Sequence, residues 1–437
     1  MALDLRTTIP CSIFLVSLSL AACQSTEPAA DDAAGSTSSD ATTTSGVGTT
    51  TEAADESGDG SSSGTGADDS LPFDPAGPDA APDPARMGPY PVGVMTVELL
   101  DDSRPDDDGQ PRRLVTELWY PAVEAARDQP GYVYTEEDLL TEEARAQIEG
   151  KLEVELATEA VRDADPRDTG EQFPIVLFSH GSSGVRMQST FLTVFLASHG
   201  YVVAAPDHAG NTLSDAVLAG EQSTEAQFES LGLRPDDMGF VLAHLQGLGA
   251  EDPLGAIVDG ERVGMSGHSF GALTTLRMLG QDRPIDVAVA QAPPGYEVTW
   301  FGALANEPED ITIPVMLQVG EVDATTTPED ADTIYSRMTA PRSRLTVREG
   351  GHFTFSDMCV LDPAAIEAAT EIGLSAALDD GCTEEHIAPE LALPLQRHFA
   401  IGLFNGHLRD SPGSLELLTT EAAEAVAPGM FVLEYEP

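Results

Sequence analysis

Basic side chains are scarce in this chain. Against 74 Asp and Glu there are 21 Lys and Arg in 437 residues, and Lys151 is the only lysine. A formal charge of −53 repels polyanions, so neither nucleic acid nor an anionic lipid surface is expected as an electrostatic partner. The same field favours a neutral or cationic small molecule as substrate. Cysteine is scarcer still. Cys11, Cys23, Cys359 and Cys382 are the full set, none in C-x-x-C spacing, so no zinc site is expected. The apolar stretch 11–22 is too short to span a bilayer comfortably, and no internal repeat is present.

What is there divides the chain into two kinds of sequence. Arg6 followed by the apolar stretch 11–22 reads as an export signal over residues 1–22. Its end, Leu20, Ala21, Ala22 and Cys23, resembles the lipobox of bacterial lipoproteins, which implies cleavage before Cys23 and lipid on that cysteine. Gln24 after it implies sorting to the outer membrane; the weak positive charge of the leader leaves ordinary secretion as the alternative. Residues 23–86 are dominated by Ser, Thr, Ala, Gly, Asp and Pro and cannot build a core. As a flexible tether this segment spans roughly 45 Å root-mean-square. In an exported protein Cys359 and Cys382 are expected to pair, a closure worth on the order of 3 kcal/mol; two free buried thiols are the alternative.

From residue 87 the composition changes to short apolar runs alternating with helix-period segments. Runs at 92–99 and 114–120 read as an antiparallel pair. Runs at 174–178, 201–205, 263–266, 287–290, 313–319 and 345–347 read as buried strands with helices between them, a helix near Asp236 among these. The pattern predicts an α/β domain over 87–437, with a mostly parallel sheet covered on both faces. Residues 123–172, charged and helix-prone, read as an insertion. Residues 353–390, which hold both later cysteines, read as a cap near the substrate pocket, and 399–404 as part of a terminal helix.

The chemistry centres on RVGMSGHSFGALTTLRMLG, residues 262–280. A short apolar run, the turn Gly267-His268-Ser269-Phe270-Gly271 and a helical pattern make a strand, a sharp turn and a helix, which presents the Ser269 hydroxyl at a sheet edge. Such a nucleophile needs a base and an orienting carboxylate at strand ends. Asp323 follows the strand 313–319 and His352 follows 345–347, in the order Ser, Asp, His; Glu321 is the competing acid. His180, His208 and His268 are expected to pack or orient loops, since none comes after the candidate acid. Oxyanion donors are expected from the amide of Phe270 and from the loop after 174–178, with Ser182 chosen.

Together these motifs resemble the α/β-hydrolase superfamily, and within it the branch of platelet-activating-factor acetylhydrolase and dienelactone-hydrolase-like proteins. The matching residues are ELWYPA (117–122), VLFSHGSSG (176–184), LASHGYVVAAPDH (196–208), GMSGHSFGA (264–272) and GGHFTFSD (350–357). The resemblance implies Ser269 as nucleophile, His352 as base, Ser182 and Phe270 as oxyanion donors, and no metal or organic cofactor. It departs at the acid. The acetylhydrolase places that residue one strand earlier, where this chain has Gln291, Ala292 and Pro293, and dienelactone hydrolase proper uses a cysteine nucleophile. The expected activity is a serine esterase on a neutral small ester or lipid, with a short-acyl preference. A lipase, a polyester hydrolase and an inactive binding lipoprotein are the alternatives.

Overall fold

The computed structural model describes residues 86–105, 109–148, 151–219, 224–279, 284–295, 307–339, 341–362, 365 and 379–437. The expected leader, nearly all of the tether, Cys23 and most of the stretch 363–378 lie outside these residues.

Ten strands form one sheet in the order β12-β11-β10-β9-β8-β6-β7-β2-β1-β5. Its centre is parallel: β7 (Val202–Pro206), β6 (Phe173–Ser179), β8 (Val258–His268), β9 (Val287–Gln291), β10 (Val315–Gly320) and β11 (Arg342–Val347). Every residue of β6, β7, β9 and β10 is buried, as their unbroken apolar runs require of strands covered on both faces. The alternation of β6 divides the two layers. Val176 and Phe178 join Phe195 of α3 (Thr190–Ser198) and Phe399 and Phe404 of α8 (Pro389–Leu408). Ile175 and Leu177 face the other way, into a layer with Met238, Val241 and Leu242 of α5 (Thr224–Gly247). That face continues under α6 (Phe270–Leu279) and α7 (Pro328–Tyr335).

The antiparallel pair is longer than the apolar runs indicate: β1 covers Val92–Pro105 and β2 covers Pro111–Pro121, with an irregularity between Asp101 and Pro105. The segment 123–172 departs further from its helix-prone reading. It holds α1 (Glu136–Leu139) and α2 (Glu142–Ile148), and β3 (Val133–Thr135) paired with β4 (Glu155–Ala157). It also supplies β5 (Val161–Arg162), which joins the main sheet beside β1. Its apolar side chains, Leu140, Ile148, Leu152 and Val154 among them, pack with Leu213 and Val217 of α4 (Leu213–Ala219).

Two further elements escape a local reading. The helix expected near Asp236 begins at Thr224 and runs through Pro235. Proline removes one intrahelical donor, but tertiary packing of Leu231, Met238, Val241 and Leu242 carries the helix across it. The strand β12 (Phe431–Glu436) pairs antiparallel with β11 and closes that edge.

The chain runs from β6 to β7 on one side and then to β8 on the other. This reversal opens a crevice at the carboxyl ends of β6 and β8, where His180 and Ser269 follow their strands.

Candidate active site

Ser269 sits between β8 and α6 with φ +55°, a left-handed conformation that costs a non-glycine residue roughly 1–3 kcal/mol. Its neighbours permit the turn only as glycines. A Cβ on Gly271 would lie 1.9 Å from the Ser179 carbonyl oxygen, and one on Gly267 would lie 2.4 Å from the Gly271 carbonyl oxygen. The Ser269 N–H donates to Gln291 O at 2.8 Å, which anchors the turn to β9.

His352 follows β11 and lies in a 3-10 turn, His352–Phe355. Its Nε2 is 2.9 Å from Ser269 Oγ, and its Nδ1 is 3.0 Å from Asp323 Oδ2. The carboxylate accepts only, so Nδ1 carries the hydrogen and Nε2 is left to accept from the serine hydroxyl. Asp323 is itself fixed: Oδ1 accepts from the N–H groups of Thr325 and Thr326 at 2.9 and 2.7 Å, and the Thr326 hydroxyl lies 2.9 Å from Oδ2. His352 and Asp323 are buried and Ser269 is half-buried. The structure thus brings together the three residues singled out in the sequence. Glu321 points elsewhere, accepting the Glu349 N–H at 3.2 Å, and Asp286, at the far end of its strand, accepts the Val263 N–H at 2.8 Å.

Asp380 gives no signal in the sequence, yet it ties the acid and base loops together. It accepts from the His352 N–H at 3.0 Å, the Ala324 N–H at 3.2 Å and the Thr325 hydroxyl at 2.6 Å. Burial opposes its ionisation, but the hydrogen bonds from Thr325, His352 and Ala324 outweigh this and hold the carboxyl below the usual range. Two residues further on, Cys382 is joined to Cys359 with the Cα atoms 4.8 Å apart.

A hydrogen-bond chain crosses the site on the other side of Ser269. The Gly181 N–H donates to Gln188 Oε1 at 2.8 Å, Gln188 Nε2 donates to His268 Nδ1 at 2.7 Å, and His268 Nε2 donates to the His352 carbonyl at 2.9 Å. Burial, with a smaller contribution from His352, pushes the His268 imidazole down to about 3. His268 is therefore neutral, with its single hydrogen on Nε2, and the direction of the chain is determined. His268 accordingly packs and orients rather than acting as base.

These groups open onto a cavity of about 350 Å³, within the usual range for a small-molecule site. Ser182, Ser269 and His352 lie along it; Leu139, Val154 and Leu156 of the insertion, Leu213, and Met358 and Leu361 beside Cys359 supply apolar walls. Among the described residues no group of three or more His, Cys, Asp or Glu is disposed to hold a metal ion. Nor, among them, is any helix long and apolar enough to cross a membrane.

His208 belongs to a second array. Ser179 Oγ is 2.9 Å from His208 Nε2, and His208 Nδ1 is 2.9 Å from Asp237 Oδ2. All three are fully buried.

The sheet order, the strained turn after β8 and the crevice define a protein of the α/β-hydrolase fold. A family profile for platelet-activating factor acetylhydrolase, isoform II, matches residues 81–234. The chain is 26% identical over 159 residues to the platelet-activating factor acetylhydrolase of Cavia porcellus, covering 29% of this chain and 36% of that protein. It is 24% identical over 156 residues to that of Bos taurus, covering 28% and 35%. The chain thus spans about a third of the length of these curated relatives. A ferulic acid esterase from Streptomyces cinnamoneus superposes with a TM-score of 0.58 at 23% identity, covering 80% of this chain and 97% of that one, and this likeness shows the shared fold. The chain resembles the acetylhydrolase branch over residues 81–234, from the start of the domain into α5.

Proposed function

We propose that the chain is a serine carboxylic-ester hydrolase acting by acyl transfer through Ser269, His352 and Asp323. Ser269 Oγ attacks the ester carbonyl carbon as His352 Nε2 takes its proton, and the imidazolium is steadied by Asp323. The carbonyl becomes an oxyanion, held by the amides of Phe270 and Ser182. As it collapses, the alcohol leaves with the proton from His352, and water then releases the acid by the same route in reverse. The observation that supports this most directly is the run of contacts Ser269 Oγ to His352 Nε2 to Asp323 Oδ2, at 2.9 and 3.0 Å, beside an apolar cavity.

The substrate is a neutral ester with an apolar portion, in keeping with the cavity walls and the acidic surface. Hydrolysis of p-nitrophenyl esters from acetyl to palmitoyl, compared with the Ser269→Ala variant, tests the reading. A short-chain preference that vanishes in the variant supports a small-acyl esterase. A profile rising toward palmitoyl moves it to a lipase, as apolar walls contributed by Leu156, Leu213 and Met358 would favour. No hydrolysis, with Ser269 unlabelled by a fluorophosphonate, points to a binding protein. On the sequence alone we propose lipidation at Cys23 after export, tested by mass spectrometry of the membrane-bound protein.

A further inference from the structure

The loop that carries Ser182 lies against a buried cation. Arg234, on α5, is fully buried, and its side chain reaches beneath the crevice. It donates from one terminal nitrogen to the His180 carbonyl at 2.5 Å, and from the other to the Gly181 carbonyl at 3.0 Å and to the Asn211 side-chain oxygen. The Gly181 carbonyl also accepts from the His180 ring Nδ1 at 2.7 Å. On its other side the guanidinium lies over the Phe270 ring, 4.7 Å from the centroid.

We infer that Arg234 is a positioning residue for the oxyanion site: by holding the carbonyls of His180 and Gly181 it turns the Ser182 N–H toward the cavity and fixes it relative to Phe270. The argument is peptide geometry. In a trans peptide the C=O and N–H point to opposite sides. The peptide between His180 and Gly181 shows the consequence directly, since its carbonyl meets Arg234 while its N–H meets Gln188 Oε1 at 2.8 Å. In the next peptide the carbonyl is again held by Arg234, so the Ser182 N–H is directed away from the guanidinium, and Ser182 lines the cavity beside Ser269. Arginine suits this task because its planar fork meets several acceptors at once, as an ammonium cannot. Burial lowers the guanidinium only to about 9, so it stays charged at neutral pH. Phe270 and the carbonyl of the peptide that carries the Ser182 N–H therefore both meet one charged side chain, which does not itself line the cavity.

The inference rests on the ester-hydrolase reading, and its test separates the two. Arg234→Met, Arg234→Lys and Asn211→Ser, prepared in the full chain, are compared with the unaltered protein in p-nitrophenyl ester hydrolysis and in inhibition by an alkyl trifluoromethyl ketone. That ketone adds Ser269 Oγ to its carbonyl carbon and so places an oxyanion in the site. Arg234→Met is expected to lower kcat about a hundredfold, as loss of one oxyanion donor does, while KM moves less than about threefold. Affinity for the ketone falls in step with kcat/KM, and Arg234→Lys recovers part of both. Asn211→Ser loosens one arm of the fork and lowers kcat about tenfold with the same split. Because Asn211 Nδ2 also donates to the Ser182 hydroxyl at 3.3 Å, it is read against Ser182→Ala, which loses that contact but keeps the amide. A matching loss in Ser182→Ala would overturn the inference where Arg234→Met does not fold. A variant that melts earlier but keeps its kcat and ketone affinity would make Arg234 a structural cation only and overturn the inference. An unaltered protein inert to both ester and fluorophosphonate would instead overturn the esterase reading beneath it.

Discussion

Two Ser–His–Asp arrays lie among the described residues with nearly the same spacings. In one, Ser269, His352 and Asp323 are linked at 2.9 and 3.0 Å; in the other, Ser179, His208 and Asp237 are linked at 2.9 and 2.9 Å. Distances therefore do not separate the candidate nucleophile from a buried structural serine. Surroundings do. Ser269 opens onto a cavity and sits at a helix start, whereas Ser179 is sealed in the sheet and leaves no room for a carbonyl carbon. The acids differ as well. Asp323 is held by backbone N–H groups and a threonine hydroxyl, but Asp237 is shared with two guanidinium groups, Arg112 at 2.7 Å and Arg104 at 2.8 Å. Desolvation works against the Asp237 charge, but hydrogen bonds from Arg112 and His208 prevail and hold its carboxyl well below the ordinary range. The buried array thus ties the ends of β6 and β7 to α5 beneath the loop that carries Ser182.

The sharpest way to break this comparison is at the two serines. Ser269→Ala is expected to lower kcat by about six orders of magnitude and abolish fluorophosphonate labelling. Ser179→Ala should keep the label at Ser269 and cost about 1–3 kcal/mol in chemical denaturation, because His208 Nε2 loses its partner while Nδ1 keeps Asp237. Labelling of Ser179 in the Ser269→Ala protein would sink the distinction.

At the acids the expected effects are smaller and of different kinds. Asp323→Asn should lower kcat about ten-thousandfold with little change in stability, since the imidazole is left in the wrong tautomer. Glu321→Gln should leave turnover unchanged, and the reverse pattern would reassign the acid. Asp237→Asn, which removes the counter-charge of Arg112 and one of the two that Arg104 has, Asp101 at 2.6 Å being the other, should instead cost about 3–5 kcal/mol of stability, read by denaturant titration.

The gentlest probe is pH. Burial first, and then the Arg234 charge, push His208 down from 6.5 to about 4, so the unfolded chain takes up a proton before the folded one does. Stability is then full above about pH 6.5 and falls as the pH drops toward about 4, by on the order of 3 kcal/mol at most from this residue. His268, pushed down to about 3, acts in the same direction. Asp357, raised to about 6 by burial, acts in the opposite direction across the same range, so the contribution of His208 is read as a difference. The stability of His208→Gln should fall less than that of the unaltered protein as the pH drops from about 6.5 to about 4 in thermal melts, and equal slopes would remove His208 from the account.

Much of the site is legible in the sequence because its signals are local. A serine between glycines that no Cβ could replace, after an apolar run and before a helical pattern, dictates a strained turn. Acid and base each follow a strand, so their order along the chain is also their order across the sheet. The edges are harder to read. Residues 431–436 alternate as a strand does, yet whether β12 pairs depends on β11 offering an edge. The insertion's short strands depend in the same way on partners far off in sequence. Helix α5 passes Pro235 because packing outweighs one missing hydrogen bond.

The sequence by itself determined the α/β class, the turn at Ser269, and the candidate acid and base, since each rests on contacts or periodicities within a few residues or on strand order. Only the tertiary structure decided which of two Ser–His–Asp arrays meets a cavity, that Cys359 and Cys382 are joined, that Asp380 ties the Asp323 loop to the His352 loop, and that Arg234 underlies the loop carrying Ser182. Those outcomes depend on which side chains from distant segments share one desolvated space, and close packing settles that only when the whole chain has folded.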